Sequence, residues 1–109
     1  MDKETLNIIL KMNMHIQGYR AIIVVPSQFG IEKYVQKLCT NPNIRFNKMD
    51  NEIKHILNDS RIRFILPSVR EERVKGLRVQ HIFLECIPND NLLTHLKSRV
   101  NNDCMLFIE

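Results

Sequence analysis

The sequence predicts an α/β protein, a three-layer sandwich with a mainly parallel sheet, in a single domain covering residues 1–109. Three observations carry this. Residues 20–25, Arg-Ala-Ile-Ile-Val-Val, are a β-branched run without alternation, as in a strand buried on both faces. Residues 79–84 form a second strong strand ending on Ile82-Phe83-Leu84. Between and around these lie segments with helical periodicity, and buried strands alternating with amphipathic helices imply helices on both faces of the sheet. The strands at 20–25 and 79–84 are expected to be adjacent and central.

Taken in order, residues 3–16 place Leu6, Ile9, Leu10, Met14 and Ile16 mainly on one helical face, with Asp2 as N-cap and Gly18 as the stop. The strand at 20–25 ends at Pro26-Ser27. Ile31, Tyr34, Val35 and Leu38 mark a helix over 30–39, and Asn41-Pro42-Asn43 breaks it. Residues 44–46 are a short strand. The spacing of Met49, Ile53, Ile56 and Leu57 predicts a short helix over 49–57 with those residues inward. Over 61–66, Ile62, Phe64 and Leu66 alternate with Arg61, Arg63 and Ile65, an imperfect pattern that predicts an edge or half-buried strand. Pro88-Asn89-Asp90 opens a helix over 91–100, and residues 104–108 are the last strand.

The charge is unevenly placed. The chain has a formal net charge of +4. Residues 61–78 hold Arg61, Arg63, Arg70, Arg73, Lys75 and Arg78 against Glu71 and Glu72, and the rest of the chain balances to zero. A local excess of this kind favours an anionic partner. Three cysteines, Cys39, Cys86 and Cys104, without CxxC spacing, argue against a disulfide framework or a structural zinc site and for a reducing compartment. The apolar runs are far shorter than the roughly 20 residues a spanning helix needs, and the first residues, Met-Asp-Lys-Glu, contain no apolar signal core. A cytoplasmic location and no membrane partner are expected. Abundant Ile, Asn and Lys with no Trp suit an AT-rich coding sequence, as in low-GC bacteria and their phages.

Two segments resemble the ATPase core of phage terminase large subunits and superfamily 2 helicases. Ala21-Ile22-Ile23-Val24-Val25-Pro26-Ser27 is similar to the strand and turn that follow the first nucleotide-binding helix of those proteins. Arg61-Ile62-Arg63-Phe64, then Lys75-Gly76-Leu77-Arg78 and an apolar strand, resembles the run into their Walker B motif. The resemblance spans about residues 18–108 and implies a Rossmann-like, P-loop-NTPase-like fold. The departures matter for activity. No GxxxxGK[ST] is present, and Gly18, Gly30 and Gly76 are too far apart to form a phosphate nest. Aligned on Gly76-Leu77-Arg78, the resemblance sets Glu85 where the family has its metal-binding Asp and Cys86 where it has its catalytic Glu. A thiol does not replace a carboxylate as the base that orients water. The resemblance therefore implies a degenerate, catalytically silent version, in the manner of a phage-encoded host-cytoplasm protein.

The candidate residues follow. Arg70, Arg73, Lys75 and Arg78 are expected to contact nucleic-acid phosphates from a basic loop at 70–78. Phe64 is the only aromatic nearby and is expected to face the core, so no stacking platform is expected. Glu85 is the candidate for a metal ligand, with magnesium the ion it would hold, or for an ion pair with a basic loop residue; no other cofactor is expected. Ser27 is expected to cap a helix, and Ser27 with Gln28 offers an alternative anion site through backbone amides at a helix N-terminus. The expected function is a non-catalytic module binding nucleic acid or nucleoprotein. The alternatives are a protein that engages or inhibits a larger nucleic-acid machine, and a minimal metal-dependent nucleotide or phosphate-ester hydrolase acting through Glu85.

Overall fold

In the structure, a computed structural model that describes residues 1–70, 74 and 78–109, six strands form one sheet. The elements are α1 (Lys3–Asn13), β1 (Arg20–Val24), α2 (Gln28–Leu38), β2 (Ile44–Asn47), β3 (Glu52–His55), β4 (Arg61–Ile65), β5 (His81–Leu84), α3 (Asp90–Lys97) and β6 (Met105–Phe107). The sheet order is β2-β3-β4-β1-β5-β6. The pairs β4–β1, β1–β5 and β5–β6 are parallel, and β3 runs antiparallel to both of its neighbours. The sheet is thus mixed and mostly parallel.

Strand pleating sorts the core into two layers. On one face Ala21, Ile23, Val25, Ile53, Ile62, Phe64 and Phe83 pack beneath Leu6, Leu10 and Met14 of the first helical segment and Ile31, Tyr34 and Leu38 of α2. On the other, Ile22, Val24, Ile65, Ile82 and Leu84 pack beneath Leu92 and Leu96 of α3. β1 and β5 are adjacent and interior, as their apolar sequences predict, because each contributes buried side chains to both layers.

The helices begin where their sequences provide caps. Asp2 Oδ1 accepts from Thr5 N at 2.7 Å, Ser27 Oγ from Gly30 N at 3.2 Å, and Asn89 Oδ1 from Leu92 N at 2.8 Å. Past the other end of α1, the Met14 carbonyl accepts from Asn58 Nδ2 and from the buried Ser60 Oγ, both at 2.8 Å. Gly18, at φ 72°, turns the chain into β1. Gly30 lets α2 sit against the end of β1, since a Cβ there would meet Val25 Cγ1 at 2.8 Å.

The segment 49–57 is not a helix. It contains a turn and then β3, in which Ile53 and His55 are buried and Glu52 and Lys54 are half-buried. Of the apolar residues whose spacing mimics a helix, only Ile53 is inward; Met49, Ile56 and Leu57 are 92%, 49% and 74% exposed. Hydrogen-bonding partners on both sides, β2 and β4, override the local pattern. The strand at 61–65 is not an edge either, because it lies between β3 and β1. Its arginines remain half-exposed because they project on the face away from α1 and α2.

Candidate functional site

That face carries a cluster of basic side chains. Pleating sends Ile44, Phe46, Ile53, Ile62 and Phe64 to the α1–α2 side, and therefore sends Arg45, Lys54, Glu52, Arg61 and Arg63 to the opposite side. The register then aligns them. Arg45 of β2 is opposite Lys54 of β3, Lys54 is opposite Arg61 of β4, and Arg61 is beside Arg20 of β1. Four basic side chains so form a single row across four strands, spanning ~14 Å at the usual strand spacing. In the next row Glu52 is opposite Arg63.

Among the described residues, two carboxylates serve this array. Asp59, in the turn before β4 at φ 60°, accepts from Arg20 Nη2 at 2.9 Å and from Arg61 Nη2 at 3.0 Å, with Lys54 Nζ 3.6 Å away. Arg20 also donates to the Asp59 carbonyl. Hydrogen bonds from Arg20 and Arg61 lower the Asp59 carboxyl to about 2. Glu52 accepts from Arg63 Nη2 at 3.1 Å and lies 3.6 Å from Arg61 Nη1. Arg45 is exposed and has no ion-pair partner among the described residues.

Of the residues expected in the basic loop, Arg70 and Arg78 are exposed and border this face. Arg78 shares a small cleft with Arg20, Arg61 and Arg63. Arg70 shares a larger groove, of about 700 Å³, with Arg63. Arg73 and Lys75 lie outside the described residues. Sequence reasoning missed Arg20, Arg45 and Lys54. The signal that could have found them is a basic residue at alternate strand positions, but only the register puts the three side by side.

Glu85, just past the end of β5, has both oxygens engaged. Oε1 pairs with Lys3 Nζ at 2.7 Å and Oε2 accepts from the Tyr34 hydroxyl at 2.9 Å. The base in this ion pair comes from α1 and not from the loop that the sequence suggested. Burial, and then the Glu85 charge, push the neighbouring Cys86 thiol up. Among the described residues no group of three His, Cys, Asp or Glu side chains could hold a metal. The Ser27 hydroxyl caps α2, and Gln28 exchanges amide hydrogen bonds with Asn51 at 2.9 and 3.2 Å. All three cysteines are free, and no helix among the described residues is long and apolar enough to cross a membrane.

The arrangement concentrates basic side chains on one face of the sheet, with Asp59 and Glu52 among them, and so raises the local positive potential. In comparisons with known proteins, the chain matches no family model, no curated protein and no solved structure.

Proposed function

We propose that this protein is a non-catalytic module that binds nucleic acid, or nucleoprotein, through the backbone phosphates. The observation that carries the reading is the row Arg45–Lys54–Arg61–Arg20, extended by Arg63, Arg70 and Arg78, against Glu52 and Asp59. Strand-borne guanidinium and ammonium groups at fixed spacing suit phosphate contacts, which position a nucleic acid without reading its sequence. Arg73 and Lys75 belong to the same proposal as further hydrogen-bond donors to phosphates.

The test is a titration of labelled oligonucleotides at two salt concentrations. Arg45→Ala and Arg78→Ala should each weaken binding about equally across sequences, and each should flatten the salt dependence by about one unit of slope. Folding stability should change by less than about 1 kcal/mol, since both side chains are exposed. No binding by the unmutated protein at low salt would eliminate the reading.

The resemblance to terminase and helicase ATPase cores remains a proposal of ancestry, resting on the sequence segments that carry it. Under it the isolated protein should not hydrolyse ATP above background. A magnesium-dependent turnover that is lost in Glu85→Gln would instead establish the hydrolase reading. An engagement with a larger nucleic-acid machine is favoured by a separate observation: Ile8 and Met12, one turn apart on α1, are 60% and 66% exposed. Recovery of one defined protein partner after nuclease treatment would select that alternative.

A further inference from the structure

We propose that the groove at the carboxyl end of β4 takes one unstacked nucleotide of a single strand, with its phosphate on Arg63 and Arg70 and its base against Met49, Leu66 and Val69. The inference rests on the nucleic-acid reading above and narrows it from any polyanion to single-stranded nucleic acid.

The groove combines three chemistries. The first is cationic. Arg63 donates through Nε and Nη2 to one oxygen of Glu52, at 3.3 and 3.1 Å. That grip fixes the guanidinium plane and leaves Nη1 outside the contact. Glu52 also lies 3.6 Å from Arg61, and Glu52 and Asp59 together face Arg20, Lys54, Arg61 and Arg63, so two carboxylates neutralise four bases incompletely. Arg70 is exposed and has no acidic partner among the described residues. The second is aliphatic. Leu66 and Val69 are half-buried on the wall, and Met49 stands at the rim 92% exposed. Methionine's flexible, polarisable thioether adapts well to a flat ring. The third is a hydrogen-bond acceptor. Asp50 Oδ2 accepts from Asn47 Nδ2 at 3.1 Å, which orients the carboxylate and leaves Oδ1 for an amino or hydroxyl donor.

A volume of about 700 Å³ is within the ordinary range for ligand pockets, about 300–1,000 Å³. A duplex offers such a groove its phosphates and base edges but no ring face, because its bases are stacked and paired. An unstacked nucleotide offers phosphate, ring and polar edge together. Among the described residues Phe64 is the one aromatic lining the groove, and it is buried, so the site is a one-nucleotide slot and not an extended stacking surface.

The experiment compares a labelled single strand, the same sequence as duplex, and the single strand with abasic positions, for the unmutated protein and for Met49→Ala. Met49 is exposed, so the variant should fold, and a thermal melt checks this. The single strand is expected to bind about tenfold tighter than the duplex. Abasic substitution or Met49→Ala should remove most of that preference while leaving duplex binding unchanged. Equal affinity for single strand and duplex, or an unaltered preference in Met49→Ala, would overturn the slot and leave the phosphate-binding reading standing. Failure of both forms to bind would overturn both.

Discussion

Replacing Phe64 with alanine is expected to cost about 3–5 kcal/mol of folding free energy, the range for truncating a fully buried aromatic side chain. Phe64 is on β4, between β3 and β1, and is 1% exposed. Its ring stacks on Tyr34 of α2 with centroids 5.6 Å apart and planes at 28°. Removing it takes away the apolar area and also leaves a void under α2, which is already held close to β1 by Gly30 and cannot easily settle inward. Set against a typical stability of about 5–15 kcal/mol for a domain, the loss is large enough to leave a substantial unfolded fraction. Urea unfolding followed by circular dichroism measures it. A cost below about 1 kcal/mol would mean that the ring does not lie in the core.

Neither tyrosine should ionise near pH 10 while the protein is folded. The chain has two tyrosines and no Trp, so near-ultraviolet phenolate absorbance reports on Tyr19 and Tyr34 alone. Tyr19 is 2% exposed, its hydroxyl is 2.9 Å from His81 Nδ1, and burial pushes it up to about 12. Tyr34 is 4% exposed and is raised first by burial, then by its hydrogen bond to the Glu85 carboxylate and that group's charge. The folded values lie above the unfolded value of 10.0, so this stability is fully present below pH 10 and is lost as pH rises through about 12. For Tyr19 the loss is on the order of 2–3 kcal/mol. The folded protein should therefore show delayed phenolate absorbance that appears together with alkaline unfolding, and urea should restore ordinary titration. Ionisation at pH 10 without loss of structure would refute the burial of both hydroxyls.

β1 and β5, adjacent and interior in the sheet, were legible because their chemistry is local. Ala21 to Val25 has no polar position, so it can only be buried on both faces, and Ile82-Phe83-Leu84 carries the same message. β3 was not legible. Met49, Ile53, Ile56 and Leu57 reproduce helical spacing by coincidence, and the strand depends on two neighbours distant in sequence. The charge excess at 61–78 includes Arg61, Arg63 and Arg78, which share a face with Arg20, but its weight fell on the loop. The strand residues Arg20, Arg45 and Lys54 belong to the array only through register, which no window of sequence contains. Lys3 was likewise invisible as the partner of Glu85, because α1 reaches the carboxyl edge of the sheet only after the chain has folded.

Arg45, Lys54, Arg61 and Arg20 lie side by side with like charges on adjacent strands, an arrangement that opposes strand pairing. Asp59 and Glu52 relieve part of this repulsion. The remainder is screened by dissolved ions and, under the proposed function, would be neutralised by a bound polyanion, so the two would be interchangeable as sources of relief. Added salt should then act in opposite senses on the empty sheet and on the proposed complex. It should steady the empty sheet by screening the row against itself, and loosen the complex by screening the row from a polyanion. Under that proposal, dilute buffer is the condition in which the empty sheet is least at ease and its attraction for a polyanion greatest.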